Sequence, residues 1–143
     1  MTTKSDLLAA VAGLEGHSIC LCKNGKTITR DERGIAPMMN LIAEGENLEG
    51  YCCADLIVGK AAAMLFVKAK IAAVHARVLS VAGREFLQRH GVQITCDELT
   101  QEIRNRAGTG VCPMEQTVQD IDDVEVAYLK LAAKCEEMKN ARK

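Results

Sequence analysis

Seven cysteines and 19 acidic side chains in 143 residues supply most of the groups able to do chemistry. Cys112 is the most suggestive thiol. Pro113 suits the first position of a helix, which makes Cys112 the N-cap and Glu115 the third helical residue. A thiol at a helix N-terminus can have a lowered pKa, hence more thiolate for attack or metal ligation. A close Glu115 would oppose that, and the plainer reading makes Glu115 the acceptor half of a capping box. Cys53 and Asp55 form a second pair, read here as opening a central helix over 52–70. In an α/β sheet, helix N-termini follow the carboxyl ends of strands, where ligands tend to bind. If both helices start at that edge, Cys53, Asp55, Cys112 and Glu115 converge. They would then act as thiol nucleophile and acid/base, or as two thiolates and two carboxylates around a metal. The plainer reading is a helix-capping Asp55 and two core thiols.

Lys60 lies on an otherwise apolar stretch and either snorkels to water or reaches an anionic ligand. Gly59-Lys60 is not a P-loop, since the preceding glycine and the following Ser/Thr are absent. Arg104, Asn105 and Arg106, before a glycine-rich turn, could hold phosphate or carboxylate. His17 and His75 read as structural, and Cys20, Cys22, Cys96 and Cys135 as core or surface thiols.

Composition sets the frame. With 48% hydrophobic residues, no Trp, two Phe and two Tyr, one domain over residues 1–143 would have an aliphatic core. A net charge of -1 and few aromatic platforms argue against general nucleic-acid binding. Charges at Asp55, Lys60, Lys68 and Lys70 argue against a membrane span through 52–70. The odd cysteine number and the lack of a signal-peptide pattern predict reduced thiols and a cytoplasmic location. The close pairs Cys20/Cys22 and Cys52/Cys53 have the wrong spacing for a zinc ribbon.

The elements that must position these groups run as follows. Residues 3–13 predict a helix, and 17–22 and 26–30 predict a hairpin around Asn24-Gly25. Pro37 opens a short helix over 37–43, and the long central helix follows. Residues 71–79 read as a strand, with Ser80 capping a helix to His90. Residues 92–96 form a strand, and Asp97 caps a short helix through 106. Helices from Pro113 and over 124–139 complete the chain. A hairpin followed by β-α-β crossovers implies a three-layer α/β/α sandwich with a mixed sheet of four or five strands.

This order resembles the cytidine-deaminase-like fold, with Cys53-Ala54-Asp55 standing where zinc deaminases begin a helix with His-Ala-Glu or Cys-Ala-Glu. Leu79-Ser80-Val81-Ala82-Gly83 stands where the family's Pro-Cys-x-x-Cys would be, without a cysteine. More closely, Ala54-Asp55-x-x-Val58-Gly59-Lys60-Ala61-Ala62-Ala63, Leu79-Ser80, Ile103-x-Asn105-Arg106 and Cys112-Pro113-Met114-Glu115 resemble an uncharacterised bacterial family of that superfamily lacking the zinc signature. The resemblance implies the fold and no cofactor. It leaves a small nucleotide-like or anionic ligand at the helix N-termini as the first expectation. Two others stand beside it: a thiol-dependent group or sulfur transferase using Cys112 with Asp55 or Glu115, and an interaction module without catalysis. A homo-oligomer is expected from the habit of deaminase-like domains. Whether the chain is an enzyme is left open at this point.

Overall fold

Asn24 and Gly25 turn the chain as their types dictate. Both have left-handed backbones, at φ 51° and 83°, as a two-residue hairpin loop with the twist of its flanking strands requires. They join strand β1 (Ile19–Lys23) to β2 (Lys26–Arg30), with Lys23 opposite Lys26 and Ile19 opposite Arg30. A helix, α1 (Thr3–Gly13), precedes the hairpin, and the short α2 (Ala36–Ala43) follows it. The computed structural model describes residues 3–105 and 107–141.

Residues 52–70 do not form one helix. Cys52–Val58 is strand β3, Gly59 is extended, and α3 begins only at Lys60 and ends at Lys68. The physical reason lies in burial on both sides. A central strand covered on both faces shows a continuous apolar run with no period-two alternation, which sequence periodicity does not distinguish from a buried helix. The strand therefore ran unmarked into the alanine-rich segment that is helical. Cys53 and Asp55 are strand residues, and Asp55 is not at a helix N-terminus.

Strand β4 (Ala73–Ser80) runs parallel to β3 and leads into α4 (Val81–Arg89). Ser80 caps α4 as expected: its Oγ accepts the Gly83 N–H at 3.0 Å. Strand β5 (Gln93–Thr100) is longer than expected and displaces the helix predicted from Asp97. The ladder with β4 continues through Val78–Glu98, Leu79–Leu99 and Ser80–Thr100. An eight-residue neighbour offering backbone partners outweighs the local capping preference of Asp97. Helices α5 (Pro113–Val118) and α6 (Val124–Ala141) follow.

The sheet has five strands in the order β2-β1-β3-β4-β5. Strand β1 is antiparallel to both neighbours, while β3, β4 and β5 are parallel, so the mixed sheet is as predicted. Alternation along β1 buries both faces. Cys20 and Cys22 join Ala10, Leu14 and Ala54 beneath α1, whereas Ile19 and Leu21 enter the larger core with Phe66, Phe86 and Leu87. Helix α6 adds the fully buried Ala127 and Leu131 to that core, and α3 lies between α6 and the sheet.

Helix α1 approaches β1 so closely that a Cβ at Gly13 would sit 2.7 Å from the Cys20 Sγ. Gly13→Ala is therefore expected to destabilise the fold by about 1–3 kcal/mol through overpacking. In a Cys20→Ala background the same change should cost much less, a coupling that a double-mutant cycle in urea would measure.

Candidate functional site

The two helices that follow parallel strands begin side by side. A Cβ at Gly83, in the first turn of α4, would lie 3.0 Å from the carbonyl carbon and oxygen of Gly59, the residue preceding α3. Into this corner comes Glu115 from α5. Its Oε1 accepts the Lys60 N–H at 2.7 Å and its Oε2 the Ala61 N–H at 2.8 Å. The capping box expected within α5 is absent. The Cys112 N–H donates to the Ile103 carbonyl at 2.8 Å, Cys112 makes no side-chain cap bond, and Glu115 caps a helix 55 residues away. Gly59 is the enabling residue. A Cβ there would lie 2.5 Å from the Glu115 Cδ. Burial raises the Glu115 pKa, against the opposing pull of the two backbone N–H groups and the Lys60 charge.

Beside this contact lies a cleft of about 190 Å³ at the carboxyl ends of β4 and β5. Ala82, Ile103 and Val111 form an apolar wall, and Lys60, Ser80, Gln101, Glu102, Glu115 and Gln119 supply polar groups. Lys60 is thus at the predicted edge, although its ammonium is engaged: it donates to the Gln119 carbonyl at 3.1 Å and stands 3.6 Å from Asp122. Glu102 and Gln101 went unread because a helix was expected there. Ser80 was visible only as a cap. A recess of about 270 Å³ at the opposite end of α3 is more open and lies away from the strand carboxyl ends.

No contact described for Cys53, Asp55, Cys112 and Glu115 joins the four into one site. Cys53 and Asp55 lie within β3, and Glu115 meets the chain beyond its end, at Lys60. Among the described residues, no three His, Cys, Asp or Glu side chains gather closely enough to hold a metal ion. Cys53 is fully buried, and its thiol pKa is pushed well up by that burial and further by Asp55, Cys20 and Cys52. Asp55 is 7% exposed and lies opposite Ile19, the residue with which the pairing of β1 and β3 ends. Its carboxylate accepts the Leu56 N–H at 2.7 Å. Desolvation nevertheless raises its pKa to about 7, because these backbone bonds only partly offset the lost water.

Arg104 bridges Val111 across the loop between β5 and α5 and pairs with Glu102 at 3.0 Å. Asn105 organises the same loop, its Oδ1 accepting the Thr109 N–H at 3.1 Å and its Nδ2 donating to the Thr109 Oγ1 at 3.2 Å. Arg106 lies outside the described residues. Arg104 and Asn105 therefore shape the loop bordering the cleft. Cys112 is half-buried and follows the lining residue Val111 in the chain, but does not itself line the cleft.

Residues 10–134 match the family model TM1506, a domain of unknown function (DUF1893). The chain belongs to this family. The crystal structure of a DUF1893 family protein, TM1506 from Thermotoga maritima, is similar at 28% identity and a TM-score of 0.85, over 94% of this chain and 92% of that one. Similarity to deaminases is weak. A Thermotoga maritima diaminohydroxyphosphoribosylaminopyrimidine deaminase/5-amino-6-(5-phosphoribosylamino)uracil reductase is 12% identical with a TM-score of 0.45, over 66% of this chain and 36% of that one. The dCMP deaminase of cyanophage S-TIM5, in apo form, is 13% identical with a TM-score of 0.44, over 68% and 96%. No curated protein matches the chain. In this DUF1893 chain a sheet of five strands has a cleft at its carboxyl edge.

Two expectations follow for this DUF1893 chain. Raising the folded pKa of Asp55 from 3.8 to about 7 means that the native state holds a proton the unfolded chain releases. Stability should then fall as pH rises between about 4 and 7, by roughly 4 kcal/mol in total. Asp55→Asn should match the wild type near pH 4 and exceed it at pH 8 in urea unfolding; equal stabilities at pH 8 would count against the account. Glu115→Ala should cost about 1–2 kcal/mol, the worth of a helix cap. Gly59→Ala should cost a similar amount by expelling the carboxylate, and the two losses should not add.

Proposed function

We propose that this protein binds a compact, nucleotide-like ligand through its base in the cleft at the carboxyl ends of β4 and β5. The observation that carries the reading is the pairing of an apolar wall, Ala82, Ile103 and Val111, with two carboxylates, Glu102 and Glu115, in one small enclosure. A volume of about 190 Å³ lies below the roughly 300–1,000 Å³ of pockets for drug-sized ligands, so a single heterocycle fits better than an extended molecule. The apolar wall suits a flat ring. Glu115 already accepts from Lys60 and Ala61, and Glu102 pairs with Arg104. A carboxylate has about four acceptor sites, so both can still take ring N–H donors, with the Ser80 hydroxyl nearby. An anionic group is the poorer match, because Glu115 already takes the first N–H groups of α3 and Lys60 is turned to Gln119 and Asp122.

A second reading keeps the cleft and adds thiol chemistry at its rim. Cys112, next in the chain to the lining residue Val111, is half-buried, as are Cys96 and Cys135 away from the cleft, whereas Cys20, Cys22, Cys52 and Cys53 are fully buried. On that reading Cys112 attacks an electrophilic ligand held against Val111, and Asp55 has no direct part. Alkylation with iodoacetamide should then modify Cys112 ahead of the buried thiols, and bound ligand should protect it.

The main reading is tested by thermal shift with nucleobases, nucleosides and nucleotides, and with inorganic phosphate as the anion alternative. A base or nucleoside at 100 times its Kd should stabilise the wild type by about 2.7 kcal/mol. Ala82→Leu, which fills the wall, should abolish that shift while the protein stays folded. Stabilisation by phosphate alone would replace the reading with anion binding, and no shift with any member would remove it.

A further inference from the structure

Four thiols lie in adjacent strands, and the register sorts them. Cys20 is opposite Ala54 and Cys53 is opposite Leu21, but Cys22 is directly opposite Cys52. Paired residues on antiparallel strands point to the same face, with Cα atoms roughly 4.5–5.5 Å apart. That spacing lies within the roughly 4.4–6.8 Å range compatible with a disulfide. Both residues are fully buried. Helix α1 covers this face and brings a carboxylate to it: Asp6, 5% exposed, accepts from the Cys22 Sγ at 3.8 Å and from the Asn24 N–H at 3.2 Å. Neither the cleft nor Cys112 uses any of these groups.

We propose that Cys22 and Cys52 are a site of oxidative modification, closing to a cross-strand disulfide when a peroxide reaches them beneath α1. The Cys22 sulfur attacks one peroxide oxygen and gives up its proton, which ends on the departing hydroxide. An S–O bond forms, the O–O bond breaks, and the departing hydroxide leaves as water after protonation. The Cys52 sulfur then attacks the Cys22 sulfenic acid, an S–S bond forms, the S–O bond breaks, and a second water departs with the Cys52 proton. Two thiols lose two electrons, and one hydrogen peroxide is reduced to two waters. The bond ties the hairpin to the central strand and closes a loop containing β2 and α2.

The test treats the full native chain with hydrogen peroxide, blocks remaining thiols in denaturant and maps linked peptides by fragmentation mass spectrometry. The expected product joins Cys22 to Cys52 at a mass two hydrogens lower than the separate peptides. It should vanish in Cys22→Ser and Cys52→Ser and persist in Cys20→Ser and Cys53→Ser. Fragment ions from the wild type assign the linkage even where a variant folds poorly. The oxidised protein should melt roughly 5 °C or more above the reduced one, with the gain reversed by dithiothreitol. A link through Cys20 or Cys53, linkage only in urea, or oxidation of Cys112 that leaves Cys22 and Cys52 as thiols would each overturn the proposal.

Discussion

A carboxylate from α5 on the first turn of α3 fixes how the segment after β5 sits on the sheet layer. Helix N-termini leave N–H groups without intrahelical partners, and a negative charge there also meets the positive end of the helix dipole. Glu115 answers both needs for α3 from a distant segment, through Lys60 N–H and Ala61 N–H. Lys60 returns the link through its side chain to the Gln119 carbonyl. Farther along, Lys68 meets Glu125 at 2.5 Å, and Ala127 and Leu131 bury against the same core. The described residues after β5 add no strand to the sheet. Much of their attachment runs through α3, by polar contacts at its start and apolar contacts along its flank, with the Arg89–Asp122 ion pair adding a link to α4.

The same interaction shapes the cleft. Glu115 is at once a wall of it and the clamp that seats α5. Gly59 and Gly83 let the clamp and the two helix starts come close, since a side chain at either position would meet neighbouring atoms. Asp55 is a separate matter. Its buried carboxyl serves backbone donors of its own strand, and no contact described for it reaches the cleft.

The hairpin, the parallel crossovers and the cap at Ser80 were legible because each rests on local chemistry. Asn24-Gly25 demands a turn, and Ser80 stands one residue before a helical pattern. The boundary inside 52–70 was not legible. Burial on both faces erased the alternation that would have marked β3. Asp97 misled for another reason: its capping preference is local, while the partners that keep it in β5 belong to β4. At the site, sequence found Lys60 and Glu115 and placed Glu115 on the right helix, but took it to cap α5 rather than α3. Local spacing suggested a box within α5, and a partner 55 residues earlier has no signature in the spacing. Cys53 and Asp55 were grouped with Cys112 because they were placed on a helix that does not exist.

The distance along the chain between Lys60 and Glu115 also has a meaning in time. A ribosome adding roughly 5–20 residues per second makes α3 some 3–11 seconds before the glutamate that completes its first turn. Through that interval the groups that complete the first turn of α3 and cover its flank have not yet been made, and nine residues alone are too few for a stable helix. The contacts that fix α3 therefore form only after α5 and α6 have been made.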